Sequence, residues 1–142
     1  MKISEVMTRD VATVRADQTA QEAADFMLQG DAGSIPVTDG DTLIGMITDR
    51  DIAVRGVAKG HGPDTPVREL MTSGLICARI DDDVEEVATK MSEAQVRRLP
   101  VIDESEKLVG IVSLGDLSRE TEGETAHHAL EGVSAPGGQH QQ

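Results

Sequence analysis

Apolar positions change their period in a fixed order along the first half of the chain, and the second half repeats that order. Ala20, Ala23, Ala24, Met27 and Leu28 fall at i, i+3, i+4, i+7 and i+8, the spacing of a one-sided apolar helix face. Val84, Val87, Ala88 and Met91 repeat the stripe. Acidic residues stand before each stripe, Asp17 in one case and Asp81 to Asp83 in the other, where a helix dipole favours negative charge. Gly30 supplies a stop for the first helix. Upstream of each helix the pattern predicts a short helical turn, over Ile3 to Met7 and over Val67 to Met71, the second opened by Pro66. A short extended piece follows each turn, Val11 to Val14 and Leu75 to Ala78. Downstream, Ser34 to Thr38 and Thr42 to Ile47 read as strands around Asp39-Gly40-Asp41, an Asp-Gly hairpin signal. Leu99 to Ile102 and Leu108 to Val112 repeat the pair around a longer polar turn. Pro36 and Pro100 fall at strand starts, where a missing N–H is tolerated. A second helix is predicted in each half, from Asp49 to about Lys59 and from Leu114 to about Arg119.

The repetition extends to residue identity. An offset of 64 lays Ile3 to Gly40 over Val67 to Glu104, and an offset of 65 lays Leu43 to Asp51 over Leu108 to Asp116. Met7/Met71, Thr8/Thr72, Arg15/Arg79, Met27/Met91, Pro36/Pro100, Gly45/Gly110 and Asp51/Asp116 are then identical pairs. Units of about fifty residues bury too little surface to be stable alone, so the two should pack on each other. The expected organisation is repeat 1 over residues 3–60, a linker over 61–66, repeat 2 over 67–120, and a disordered tail over 121–142 that is rich in Gly, Glu, His and Gln.

Each repeat closes on one motif: Gly45-Met46-Ile47-Thr48-Asp49-Arg50-Asp51, then Gly110-Ile111-Val112-Ser113-Leu114-Gly115-Asp116. It reads as a buried strand turning into a helix. The hydroxyl is a natural N-cap and the Asp sits in the first helical turn. Taken alone, Ser/Thr-x-x-acid is more often a capping box than a binding site. Such a junction also presents backbone N–H groups, a hydroxyl and a carboxylate at one sheet edge, a set able to hold a sugar and a phosphate. The two roles are compatible.

Charge and composition narrow the function. The net charge is −13 over 142 residues, which repels nucleic-acid backbones. Phe26 is the one aromatic residue, so stacking platforms for single strands are missing too. Cys77 alone excludes an internal disulfide or a multi-cysteine metal site, and it reads as a small core residue. His127, His128 and His140 are dispersed in the tail and make no metal site; His61 belongs to the linker. No apolar run approaches the ~20 residues of a membrane span, and the N-terminus carries no signal-peptide pattern. The expectation is a soluble cytoplasmic protein. No nucleophile elbow, HExxH or P-loop is present, so no catalytic residue is assigned and the enzyme reading is the weakest.

The order β-α-β-β-α, twice, with Val6-Met7-Thr8 and Leu70-Met71-Thr72 at the starts, Ile35-Pro36-Val37 and Arg98-Leu99-Pro100-Val101 in the middle, and the two closing motifs, resembles the CBS domain family in its tandem form, the Bateman module. The resemblance covers roughly residues 3 to 120. It implies an α/β (α+β) fold of two repeats packed with pseudo-two-fold symmetry, similar to small stand-alone bacterial CBS-pair proteins, some of a hypoxic or stress-response group. It implies a regulatory ligand bound between the repeats: AMP, ADP, ATP, S-adenosylmethionine or NAD, with no catalytic cofactor and no metal. By position, Asp51 and Asp116 would hold ribose hydroxyls, and Thr48 and Ser113 would contact ribose or phosphate. Ser34 and Arg98 occupy the position two before the central Pro, where an Arg suits a phosphate. Arg50 would add a phosphate contact in the first copy and Arg97 one in the second, so two unequal sites are expected. Thr8 and Thr72 would lie near the base. A homodimer and a regulated protein partner are the implied associations, and a ligand-free interaction scaffold is the alternative function.

Overall fold

A computed structural model of the chain describes residues 1–120. The expected tail and its three histidines lie outside the described residues. Two compact units are present: Ala12–Leu75 forms one, and Met1–Val11 joins the described residues from Ile76 onward to form the other. These units are offset from the sequence repeats, because the opening segment of each repeat folds onto the other repeat's strands.

In the Ala12–Leu75 unit, β1 (Val14–Arg15), β2 (Ser34–Asp39) and β3 (Thr42–Thr48) form a three-stranded sheet in that order. β1 runs parallel to β2, and β2 and β3 form the antiparallel hairpin. α1 (Ala20–Gly30) connects β1 to β2. α2 follows β3; it opens as Asp49–Asp51, widens over Ile52–Gly56, and ends in a tighter turn at Val57–Lys59. In the other unit, β4 (Ala78–Arg79), α3 (Val84–Ala94), β5 (Arg98–Ile102), β6 (Leu108–Ser113) and α4 (Leu114–Glu120) repeat the plan. Even the bulge recurs, between Val37 and Thr38 and between Val101 and Ile102. The first strands are shorter and later than their hydrophobic pattern suggests, two residues each. Val11 and Leu75 fall outside them.

The exchanged segments complete both cores. Val67 and Leu70 are buried among Val14, Ala23, Met27, Ile35, Val37 and Ile47. Ile3, Val6 and Met7 are buried among Val84, Val87, Met91, Leu99, Val101, Val112 and Leu117. Each such side chain contributes on the order of 1.5–3 kcal/mol. Met27 and Met91 are thus core residues of their own units. On α1 the apolar stripe is narrower than its spacing predicts: Ala20, Ala23 and Met27 are buried, Ala24 is exposed, and Leu28 is 80% exposed.

The stretch read as a linker is hydrogen-bonded structure. Pro63 and Thr65 carbonyls accept from Gln21 and Ala20 N–H at 3.1 and 2.8 Å. These are the first donors of α1, which have no partner within the helix. Val67 N–H reaches the Gln18 carbonyl at 2.7 Å. The N-terminus does the same for α3: Met1 carbonyl accepts from Val84 N–H at 3.0 Å, and Ile3 N–H donates to Asp82 at 2.9 Å.

The same exchange explains how Pro36 and Pro100 sit inside central strands. Met46, opposite Pro36, gives both its backbone groups to Thr72, with two bonds of 2.9 Å. The Pro36–Met46 pair therefore exchanges no hydrogen bond, and β1 pairs with β2 only beyond Pro36, at Val37 and Thr38. The missing N–H leaves no gap in the ladder. Pro100 stands opposite Ile111, which bonds Thr8 at 2.8 and 2.9 Å.

Candidate functional site

The two closing motifs form strand-to-helix junctions of one design. Thr48 ends β3 in extended conformation and caps α2. Asp51 N–H donates to Thr48 Oγ1 at 3.0 Å, and Thr48 N–H donates to Asp51 Oδ2 at 3.0 Å. At the second junction Asp116 N–H donates to Ser113 Oγ at 3.2 Å, and Ser113 N–H to Asp116 Oδ2 at 2.9 Å. Both are reciprocal capping boxes, which fix the carboxylate beside the hydroxyl. Each helix start is also pinned to the beginning of the hairpin: Asp49 N–H bonds the Gly33 carbonyl at 2.9 Å, and Leu114 N–H the Arg97 carbonyl at 3.1 Å.

The strand register places the next residues. Ser34 is directly opposite Thr48, and Arg98 is directly opposite Ser113. Since Thr48 and Ser113 spend their N–H groups on Asp51 and Asp116, these are non-hydrogen-bonded pairs, the kind that brings facing side chains closest. Ser34 is buried, while Arg97 and Arg98 are exposed. Thr72 lies along β3 at Met46, and Thr8 lies along β6 at Ile111.

The structure therefore sorts the ten candidates by unit rather than by repeat. Ser34, Thr48, Asp51 and Thr72 lie along one end of the sheet in the Ala12–Leu75 unit, with Arg50 exposed at the helix start beside them in sequence. Thr8, Arg97, Arg98, Ser113 and Asp116 come together in the other. The two threonines change places relative to their repeats, which residue spacing alone does not reveal. Gly45 and Gly110 carry the signal for it. A Cβ on Gly45 would lie 2.7 Å from the Thr72 carbonyl oxygen and 2.8 Å from Met71 Sδ. On Gly110 it would lie 2.8 Å from the Thr8 carbonyl oxygen and 2.7 Å from Met7 Sδ. The motif's glycine is the space into which the exchanged backbone fits.

The junctions differ in charge. Arg50 is exposed, and its N–H bonds Asp49 Oδ1 at 2.8 Å. Arg55, which the sequence reading passed over, lies one turn beyond Asp51: its Nε is 3.7 Å from Asp51 Oδ1, and its Nη1 donates to the Met71 carbonyl at 3.1 Å. Asp51 keeps 13% of its side chain exposed; Asp116 is buried, at 5%. The sole cysteine is half-buried beside β4, and burial pushes its thiol up from the ordinary value of 9.0. Its neutral form favours an inert packing residue over a nucleophile.

Among the described residues no group of His, Cys, Asp and Glu is arranged to hold a metal, and no helix is long and apolar enough to cross a membrane.

Comparison with known proteins agrees with this architecture. The chain is 44% identical over 133 residues to the CBS domain-containing protein YhcV of Bacillus subtilis, covering 93% of this chain and 94% of that protein. It is 38% identical over 117 residues to Hypoxic response protein 1 of Mycobacterium tuberculosis, covering 81% of each. Two solved structures with ligands are also similar. CBSX2 in complex with AMP superimposes with a TM-score of 0.73 at 26% identity, covering 83% of this chain and 93% of that one. The CBS domain pair of MJ0100 in complex with 5′-methylthioadenosine and S-adenosyl-L-methionine does so with 0.70 at 30% identity, covering 84% and 94%. The family model of the CBS domain matches twice, over residues 3–56 and 67–123. With two three-stranded sheets, two capped junctions and two family matches, the chain belongs to the CBS domain family as a tandem pair.

Proposed function

We propose that the chain is a cytoplasmic regulatory sensor that binds an adenosine-containing ligand (AMP, ADP, ATP, S-adenosylmethionine or NAD) at its strand-to-helix junctions and relays occupancy to a protein partner or through self-association. The observation that carries this reading is the gathering, in each unit, of groups from three separate segments. These are the hydroxyl–carboxylate pair of the closing motif, Ser34 or Arg98 directly across the hairpin, and the exchanged Thr72 or Thr8 at the sheet edge. Asp51 and Asp116 would hold ribose hydroxyls. Each capping bond uses Oδ2, and an ionised carboxylate has about four lone-pair positions, so capping and ribose binding are compatible. Thr48 and Ser113 would meet ribose or phosphate, Arg50, Arg97 and Arg98 would meet phosphate, and Thr8 and Thr72 would flank the base. The ligands seen in the CBSX2 and MJ0100 structures support the adenosine class.

Mass spectrometry of the denatured, freshly purified protein, followed by calorimetric titration with AMP, ATP, S-adenosylmethionine and NAD, tests the reading. The expected result is release of an adenosine compound, or saturable binding of at least one. Folded protein that binds none of the four overturns it, and steady turnover of AMP or ATP would overturn its non-catalytic character. A second reading, an interaction scaffold without ligand, is favoured by the exposed apolar side chains of α1 and α2, among them Leu28 and Val57 at 80% and 70% exposure. Light scattering would then show a homodimer in protein that carries and binds no nucleotide.

A further inference from the structure

The cation that completes the junction of the Ala12–Leu75 unit comes from beyond the closing motif. We infer that Arg55 is a phosphate-binding residue of this junction, in addition to Arg50, and sets its preference for anionic over uncharged adenosine ligands; this rests on the adenosine reading above. A carboxylate that holds ribose hydroxyls places negative charge close to where a 5′-phosphate must lie. A nearby cation is needed to offset that repulsion. Arg55 is the cation that pairs with this carboxylate, at 3.7 Å from Asp51 Oδ1. Its Nη1 is tied to the Met71 carbonyl at 3.1 Å, the residue before Thr72. The guanidinium is thus held between the two halves of the candidate site, while the side chain stays 49% exposed. A planar fork held by two partners loses little freedom on taking a phosphate oxygen through its other donors.

Arg50 is placed differently, on the exposed side of a helix start whose Asp49 accepts its backbone N–H. The second copy has Glu120 at the position matching Arg55 under the 65-residue offset. Its cation stands instead on the strand, as Arg98 opposite Ser113. The two junctions would therefore recruit phosphate from different elements, the helix in one and the hairpin in the other.

The test compares AMP with adenosine by calorimetry on the full chain carrying Asp116→Asn, so that the first junction dominates. Arg55→Gln should weaken AMP about tenfold, the loss of one charge-assisted bond, and leave adenosine unchanged. Arg55→Lys should recover part of the AMP preference, and Lys59→Gln, which removes one positive charge elsewhere on α2, should leave the ratio intact. Equal loss of AMP and adenosine in Arg55→Gln, or an unchanged ratio, overturns the assignment and leaves Arg55 a staple between Asp51 and Met71. Native protein that binds neither AMP nor adenosine overturns the Arg55 assignment, and native protein that also binds none of ATP, S-adenosylmethionine and NAD overturns the adenosine reading itself. Where Asp116→Asn does not fold, the same ratio is read in the otherwise native chain from the amide NMR signals of Gly45 and Thr72.

Discussion

At the scale of single residues, the glycines of the closing motif and its aspartates make separable demands. Gly to Ala in ordered structure commonly stabilises by limiting the unfolded chain. At Gly45 and Gly110 the sign reverses, because the new methyl would meet carbonyl oxygen at 2.7 and 2.8 Å. Gly45→Ala and Gly110→Ala should each cost about 1–3 kcal/mol in urea denaturation; unchanged midpoints would show that the exchanged backbone is not held there. The aspartates combine cap and candidate ligand roles. Asp51→Ala and Asp116→Ala each remove a capping box, at about 1 kcal/mol. Asp116→Ala should be the more destabilising: both changes leave a backbone N–H without its acceptor, but only Asp116 is buried. Both should weaken nucleotide binding in protein that remains folded, which calorimetry on samples checked by circular dichroism can establish. The hydroxyl, the Asp and the central-strand position were legible in the sequence because the doubled motif fixes their spacing. Arg55 was not, because its hold on the Met71 carbonyl depends on an exchanged segment sixteen residues further on.

At the scale of elements, the helices were the most readable parts and their ends the least. α1 begins at a capping box: Glu22 N–H donates to Thr19 Oγ1 at 3.1 Å, and Thr19 N–H returns a bond to Glu22 Oε1 at 3.4 Å. The side-chain hydrogen bond from Gln18, then that backbone bond, hold the Glu22 carboxyl below its ordinary value of 4.5. A depressed folded value means a contribution that is present above the ordinary carboxylate range and lost as pH falls through the folded value. The urea midpoint of the native chain should therefore fall towards, or below, that of Glu22→Gln between about pH 6 and pH 3. Parallel curves for the two proteins would remove Glu22 from the account. The remaining caps of α1 come from Pro63 and Thr65, within a stretch whose Gly and Pro content reads as a linker. Local composition signals a turn there, but it cannot say that the turn's carbonyls will close a helix more than forty residues upstream. The first strands were misplaced for a related reason: at two residues each, they are set by pairing with Val37–Thr38 and Val101–Ile102 rather than by their own pattern.

At the scale of the whole molecule, two copies of a repeat are plain from the sequence, whereas the units they build are not, because identity spacing is blind to which copy a segment folds against. The distinction can be measured with fragments. Residues 12–75 contain Val67, Leu70 and the carbonyls that cap α1; residues 3–60 follow the repeat boundary and lack all of them. The 12–75 fragment should keep helical circular dichroism and a cooperative thermal transition, and the 3–60 fragment should not. Equal behaviour would mean that the exchanged segment adds little. The arrangement also sets an order of assembly at the ribosome. Everything the Ala12–Leu75 unit requires emerges as one uninterrupted run. Ile3, Val6 and Met7 emerge ahead of that run and must wait for β6 and α4, about a hundred residues of elongation and several seconds at cellular synthesis rates. For that interval three apolar side chains destined for a core stand open to water, so a segment made before its partners is placed only after them.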